Sequence, residues 1–101
     1  MTTAVTNAAT LAAFSERYRD RPFVLFSRQP DAIQARWRRV IDLIREGKVT
    51  SGRKFREVYV DGFPDMKAWT EIGRDERESW DAVFSAAQAA ARRAELEELA
   101  A

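Results

Sequence analysis

Apolar residues recur at helical spacing in two long stretches of this chain. Ile33, Trp37, Val40, Ile41 and Ile44 fall at i, i+4, i+7, i+8 and i+11, which is one face of an α-helix. Gln29-Pro30-Asp31 reads as its start, with a proline in the first turn and an acid at the positive end of the dipole; Gly47 reads as its stop. The pattern predicts a helix over 31–46. Trp80, Val83, Phe84, Ala87, Ala91 and Ala94 make a second face of this kind, preceded by Gly73 and with Asp75 and Glu76 in the first turn. It predicts a helix over 74–94. Beyond it, AELEELAA sets carboxylates where the dipole favours cations, so this end is expected to fray, extended a little by Arg92–Glu95 and Arg93–Glu97 pairs.

The other segments carry weaker patterns. Residues 1–9 are small, polar and aperiodic, the expectation for a flexible N-terminus. Thr10 reads as the cap of a short helix bearing Leu11, Phe14 and Tyr18, which Arg21-Pro22 ends. Period alone does not decide whether Phe23–Phe26 is a strand or a helical turn. Phe55, Val58, Tyr59 and Phe63 fit a helix capped by Thr50 or Ser51, while Val58-Tyr59-Val60 favour a strand by propensity; imperfect alternation tips the reading towards helix. Met66, Trp69 and Ile72 suit one or two further helical turns. The expectation is a mainly α domain over 10–101, a small bundle of three to four helices, with a short strand pair around 55–60 as the alternative. Its core is expected to hold Phe14, Phe26, Ile33, Trp37, Val40, Ile41, Ile44, Phe55, Tyr59, Trp69, Ile72, Trp80, Val83 and Phe84.

Composition narrows the chemistry. A chain of 101 residues suits one domain, and 46% hydrophobic residues with three Trp and six Phe supply one modest core. Cysteine and histidine are both absent, which excludes disulfides, thiolate nucleophiles, Ser-His pairs and the usual tetrahedral zinc sites. Ser51-Gly52-Arg53-Lys54 lacks the spaced second glycine of a phosphate-binding P-loop. Asp61, Asp65, Asp75, Glu76 and Asp81 are a loose acidic set without the calcium-loop pattern. The expectation is no enzyme, no cofactor, no metal and no catalytic residue. No apolar run is long enough to span a bilayer, and the first residues lack a signal-peptide pattern, so a cytoplasmic location (host cytoplasm or virion for a phage protein) is expected, with no membrane partner.

Charge is the most uneven property of the chain. From Arg17 to Arg56 there are twelve basic and four acidic residues, net +8; from Glu57 to Ala101 there are five basic and eleven acidic, net −6. Mutual neutralisation at the surface, a basic binding face and head-to-tail self-association between copies all fit this asymmetry. The candidate partner-binding residues are Arg28, Arg36, Arg38, Arg39, Arg45, Lys48, Arg53, Lys54 and Arg56, whose guanidinium forks suit phosphate or clustered carboxylates. Nucleic acid is one partner for this stretch. Against it stand the near-neutral total and the core-like positions of Trp37 and Phe55. The alanines at 86, 87, 89, 90, 91 and 94 permit close helix approach, at a dimer seam or a partner groove.

The run Trp69-x-x-Ile72-x-x-x-Glu76-Arg77-x-x-Trp80 resembles the turn into the third helix of HMG-box proteins, and Arg21-Pro22-x-x-x-Phe26 resembles their opening. That likeness implies a three-helix, L-shaped DNA-binding domain, with Asp61-Gly62-Phe63-Pro64 falling inside its second helix. The same run is similar to small helical proteins of tailed phages and prophages. Read without any family, Trp69 and Trp80 clamp a helix–turn–helix corner and Arg77 is a solvated residue. The leading expectation is a non-catalytic protein-interaction module, a phage or prophage inhibitor or assembly factor, binding a partner protein through a basic face. The alternative is an HMG-box-like nucleic-acid-binding protein using residues 28–56, and homo-oligomerisation is compatible with either.

Overall fold

The computed structural model describes residues 3–100. Four helices make up the architecture: α1 (Thr3–Arg17), α2 (Asp31–Arg45), α3 (Gly52–Val60) and α4 (Arg74–Ala100). Two short 3-10 turns, Phe26–Arg28 and Trp69–Glu71, lie in the connections, and no strand occurs among the described residues. Residues 55–60 are helical, so the spacing of Phe55, Val58 and Tyr59 prevails over the β-propensity of Val58-Tyr59-Val60.

Local chemistry explains the boundaries of α2 and α3. Pro30 is the N-cap of α2, one place earlier than the first turn, and Asp31 opens the helix. At its other end Gly47 takes φ +77, which a side chain would strain. Gly47 N–H donates to Ile44 O at 3.0 Å and Lys48 N–H to Leu43 O at 2.9 Å, the paired bonds of a Schellman stop. Ser51 caps α3 by accepting from the Lys54 N–H at 3.1 Å.

The first helix differs most from expectation. It begins at Thr3, and Thr10 lies inside it, fully buried, its hydroxyl donating to Thr6 O at 2.7 Å. Residues 3–9 are therefore the first turns of α1; Met1 and Thr2 of the expected flexible segment lie outside the described residues. Val5, Ala9 and Ala13 are buried because α1 runs against α4, whose Ala87 and Ala91 face the same core. The end of α1 meets the start of α4, since Arg17 pairs with Glu76 at 2.6 Å. The helix expected over 74–94 continues to Ala100.

Aromatic rings join the four helices. Trp37 of α2 is fully buried among Phe14, Phe55, Tyr59 and Trp80, with ring centroids 4.7–6.3 Å away. Its indole N–H is buried and donates to no hydrogen-bond acceptor among the described residues. Of the expected core, Ile33, Ile44, Tyr59, Trp69, Ile72 and Phe84 are only half-buried around this centre, and Val49 joins it.

Candidate functional site

The nine candidate basic residues do not form one face. Arg36 points into the structure: its Nη1 donates to Tyr59 O at 2.8 Å and Asp61 O at 2.6 Å, and its guanidinium lies 3.9 Å from the Phe63 ring centroid. It satisfies carbonyls at the end of α3 and is a clamp, which removes it from the binding set. Arg45 pairs with Glu95 across α2 and α4. Glu95 is thereby engaged across helices, in place of the Arg92–Glu95 pair expected within α4. Lys48 lies 3.8 Å from Glu46, and Arg53 and Lys54 both reach Glu57, at 3.1 and 3.9 Å. These pairs are exposed and contribute little each. Four bridges among the described residues, Arg17–Glu76, Arg45–Glu95 and the pairs of Arg53 and Lys54 with Glu57, join the basic half to the acidic half, so part of the segregated charge is neutralised inside the molecule.

Arg28, Arg38 and Arg39 are exposed and make no ion pair among the described residues. Arg38 instead lies 5.3 Å from the Phe26 ring centroid. Arg38 borders an apolar surface that sequence reasoning did not single out, and Arg28 ends the 3-10 turn whose Phe26 and Ser27 line it. Leu11 on α1, and Phe23 and Leu25 in the following connection, are 51%, 77% and 45% exposed. A shallow groove of about 330 Å³ lies between α1 and residues 22–27, lined by Leu11, Phe14, Tyr18, Val24 and Leu25. It adjoins a smaller one of about 250 Å³, lined by Thr10, Leu11, Phe26, Gln34 and Arg38, and both share Leu11, Phe26 and Ser27. The available signal was the run Phe23-Val24-Leu25-Phe26. Only Phe26 of this run is fully buried, because the 3-10 turn Phe26–Arg28 directs that ring onto Phe14 at 5.3 Å; Val24 is half-buried against the core, and Phe23 and Leu25 stay outside.

Arg56 is the opposite case. It is 4% exposed on α3, and it has no hydrogen bond or ion pair among the described residues. It lines a groove of about 360 Å³ between α3 and the 61–70 connection. That connection is fixed at both ends by arginines. Arg36 holds its start, and Arg77 donates from Nε to Trp69 O and from Nη2 to Thr70 O, each at 3.0 Å. Arg77 is thus a carbonyl clamp and not a freely solvated residue. Trp80 packs in the core against Trp37, Phe55 and Tyr59, while Trp69 is half-buried beside the groove.

One titration is displaced. Burial pushes the Tyr59 hydroxyl above its ordinary 10.0, with nearby Tyr18 acting in the same direction; Trp37, Arg36 and Arg17 pull it partly back. Among the described residues no cluster of three or more carboxylates is placed to hold a metal ion, and no helix is long and apolar enough to cross a membrane. No protein-family model, curated protein or solved structure matches the chain.

Proposed function

We propose that this chain is a non-catalytic protein-interaction module that docks a partner through the face around Leu11, Phe23 and Leu25. The observation that supports it is an exposed apolar surface with Arg38 in its lining and Arg28 at the end of the adjoining 3-10 turn, two cations that no carboxylate of the chain engages among the described residues. Exposed apolar patches with a polar rim favour macromolecular contact, and unpaired arginines at the rim favour a partner of opposite charge. The partner that fits is a segment carrying apolar side chains beside Asp or Glu. The basic face of this reading is narrower than residues 28–56, because most of that stretch is paired or turned inward.

The likeness of the Trp69–Trp80 run to small phage and prophage proteins extends the proposal to an inhibitor or assembly factor of such an element. The identity of the neighbouring genes tests that extension.

The docking proposal is tested by affinity capture from the source cell with the wild-type chain, Phe23→Asp and Arg28→Glu/Arg38→Glu. The expected result is one stoichiometric protein partner, lost in both variants and weakened by salt. Capture that is unchanged by either variant refutes the assigned face. A DNA or RNA gel shift at low salt that disappears steeply as salt rises would replace the reading with the nucleic-acid one. Light scattering at several chain and salt concentrations identifies a second copy as the partner.

A further inference from the structure

We propose that the groove between α3 and residues 61–70 is a binding site for a small organic oxyanion, a carboxylate or phosphate monoester carried on a flat apolar group. It shares no lining residue with the docking face and does not depend on that reading. The carrying observation is Arg56. Arg56 is 96% removed from solvent, and among the described residues no carboxylate or carbonyl receives its donors, so the little access its guanidinium has is to the groove it lines. Its planar fork matches two oxygens of a carboxylate or phosphate.

The rest of the groove suits the same ligand. Its cations are Arg53, Arg56 and Lys67, and its carboxylates are Glu57 and Asp61. Glu57 is already engaged by Arg53 and Lys54, so it competes weakly for Arg56. Phe63, Met66 and Trp69 supply flat and soft apolar lining next to that charge. At about 360 Å³ the space is that of a small-ligand pocket. The far wall is preorganised, because Arg36 holds the Asp61 carbonyl, Arg77 holds the Trp69 and Thr70 carbonyls, and Glu71 accepts from the Ala68 N–H at 3.3 Å. Little ordering remains to be done when a ligand enters.

The test is an NMR titration of the full chain at low salt, following the Trp69 indole N–H and the Arg56 Nε–H. The probes are phenyl phosphate, benzoate, inorganic phosphate and benzyl alcohol. Phenyl phosphate or benzoate should move both signals saturably, with their order identifying the preferred anion. Inorganic phosphate should bind more weakly and benzyl alcohol not at all. Arg56→Gln should lower the affinity about tenfold or more, the loss that follows removal of a charge-assisted contact. Arg56→Lys should retain part of it. Absence of a saturable shift with either aromatic anion, or equal binding by folded Arg56→Gln, overturns the proposal. Should Arg56→Gln fail to fold, the wild-type shifts and Lys67→Gln decide: shifts that map away from α3 and 61–70 and ignore Lys67→Gln also overturn it.

Discussion

Gly52→Ala separates local helix preference from tertiary contact, because the two predict opposite signs. Gly52 is the first residue of α3 and is buried against α4. A Cβ there would lie 2.6 Å from both the Cα and the N of Asp81, far inside ordinary contact, as well as against its carboxylate oxygen. The obstacle is backbone, and Trp80 and Val83, 3% and 0% exposed, hold that part of α4 in the core. Helix propensity alone would stabilise the variant by up to about 1 kcal/mol. Forcing a methyl into a closed contact costs about 1–3 kcal/mol and sometimes more. The clash should win, with a net loss of about 1–2 kcal/mol, or a melting temperature lower by about 4–16 °C in a domain of this size. Urea unfolding followed by far-UV circular dichroism measures it. Gly73→Ala is the control, since a Cβ there meets nothing within 4 Å and it should stay within about 0.5 kcal/mol of wild type. A Gly52→Ala protein as stable as wild type, or more so, refutes the close α3–α4 approach that also seats Arg53 and Arg56.

Other outcomes follow from the same contacts. Arg36→Met keeps much of the side-chain length but removes both carbonyl bonds and the contact with Phe63, and should cost about 1–3 kcal/mol in urea unfolding while leaving partner capture intact. Ser51→Ala should lose about 1 kcal/mol through the missing cap on Lys54 N–H. Gly47→Ala should lose about 1–2 kcal/mol from φ +77 alone, since no neighbour blocks its Cβ. Tyr59 contributes a stability that is complete below its unfolded value of 10.0 and declines as pH rises above it, because the unfolded tyrosine releases its proton first. Comparing wild type with Tyr59→Phe in urea at pH about 9 and about 11 should show a smaller alkaline loss in the variant; an equal loss refutes the displaced titration.

Much of the fold was legible because helical periodicity is a local property. The spacing of Ile33, Trp37, Val40, Ile41 and Ile44, with Gly47 behind it, was enough to place α2. The spacing of Phe55, Val58 and Tyr59, with Ser51 before it, was enough to favour α3 over a strand. The start of α1 was not legible, because Val5, Ala9 and Ala13 present little contrast to their neighbours. They are core residues only because a helix some seventy residues later lays Ala87 and Ala91 against them.

The charge asymmetry was likewise countable, but its use was not. Arg36 and Arg56 are both basic residues of helices in the same half, yet one clamps carbonyls and the other is buried without a described partner. The exposed run before Phe26 carried no sign that it would stay outside. Helix positions, caps and stops are set by bonds that span a few residues, so the sequence by itself determined them. Ion pairing, burial of a cation and exposure of an apolar turn are set by which helix faces meet, so only the tertiary structure decided them.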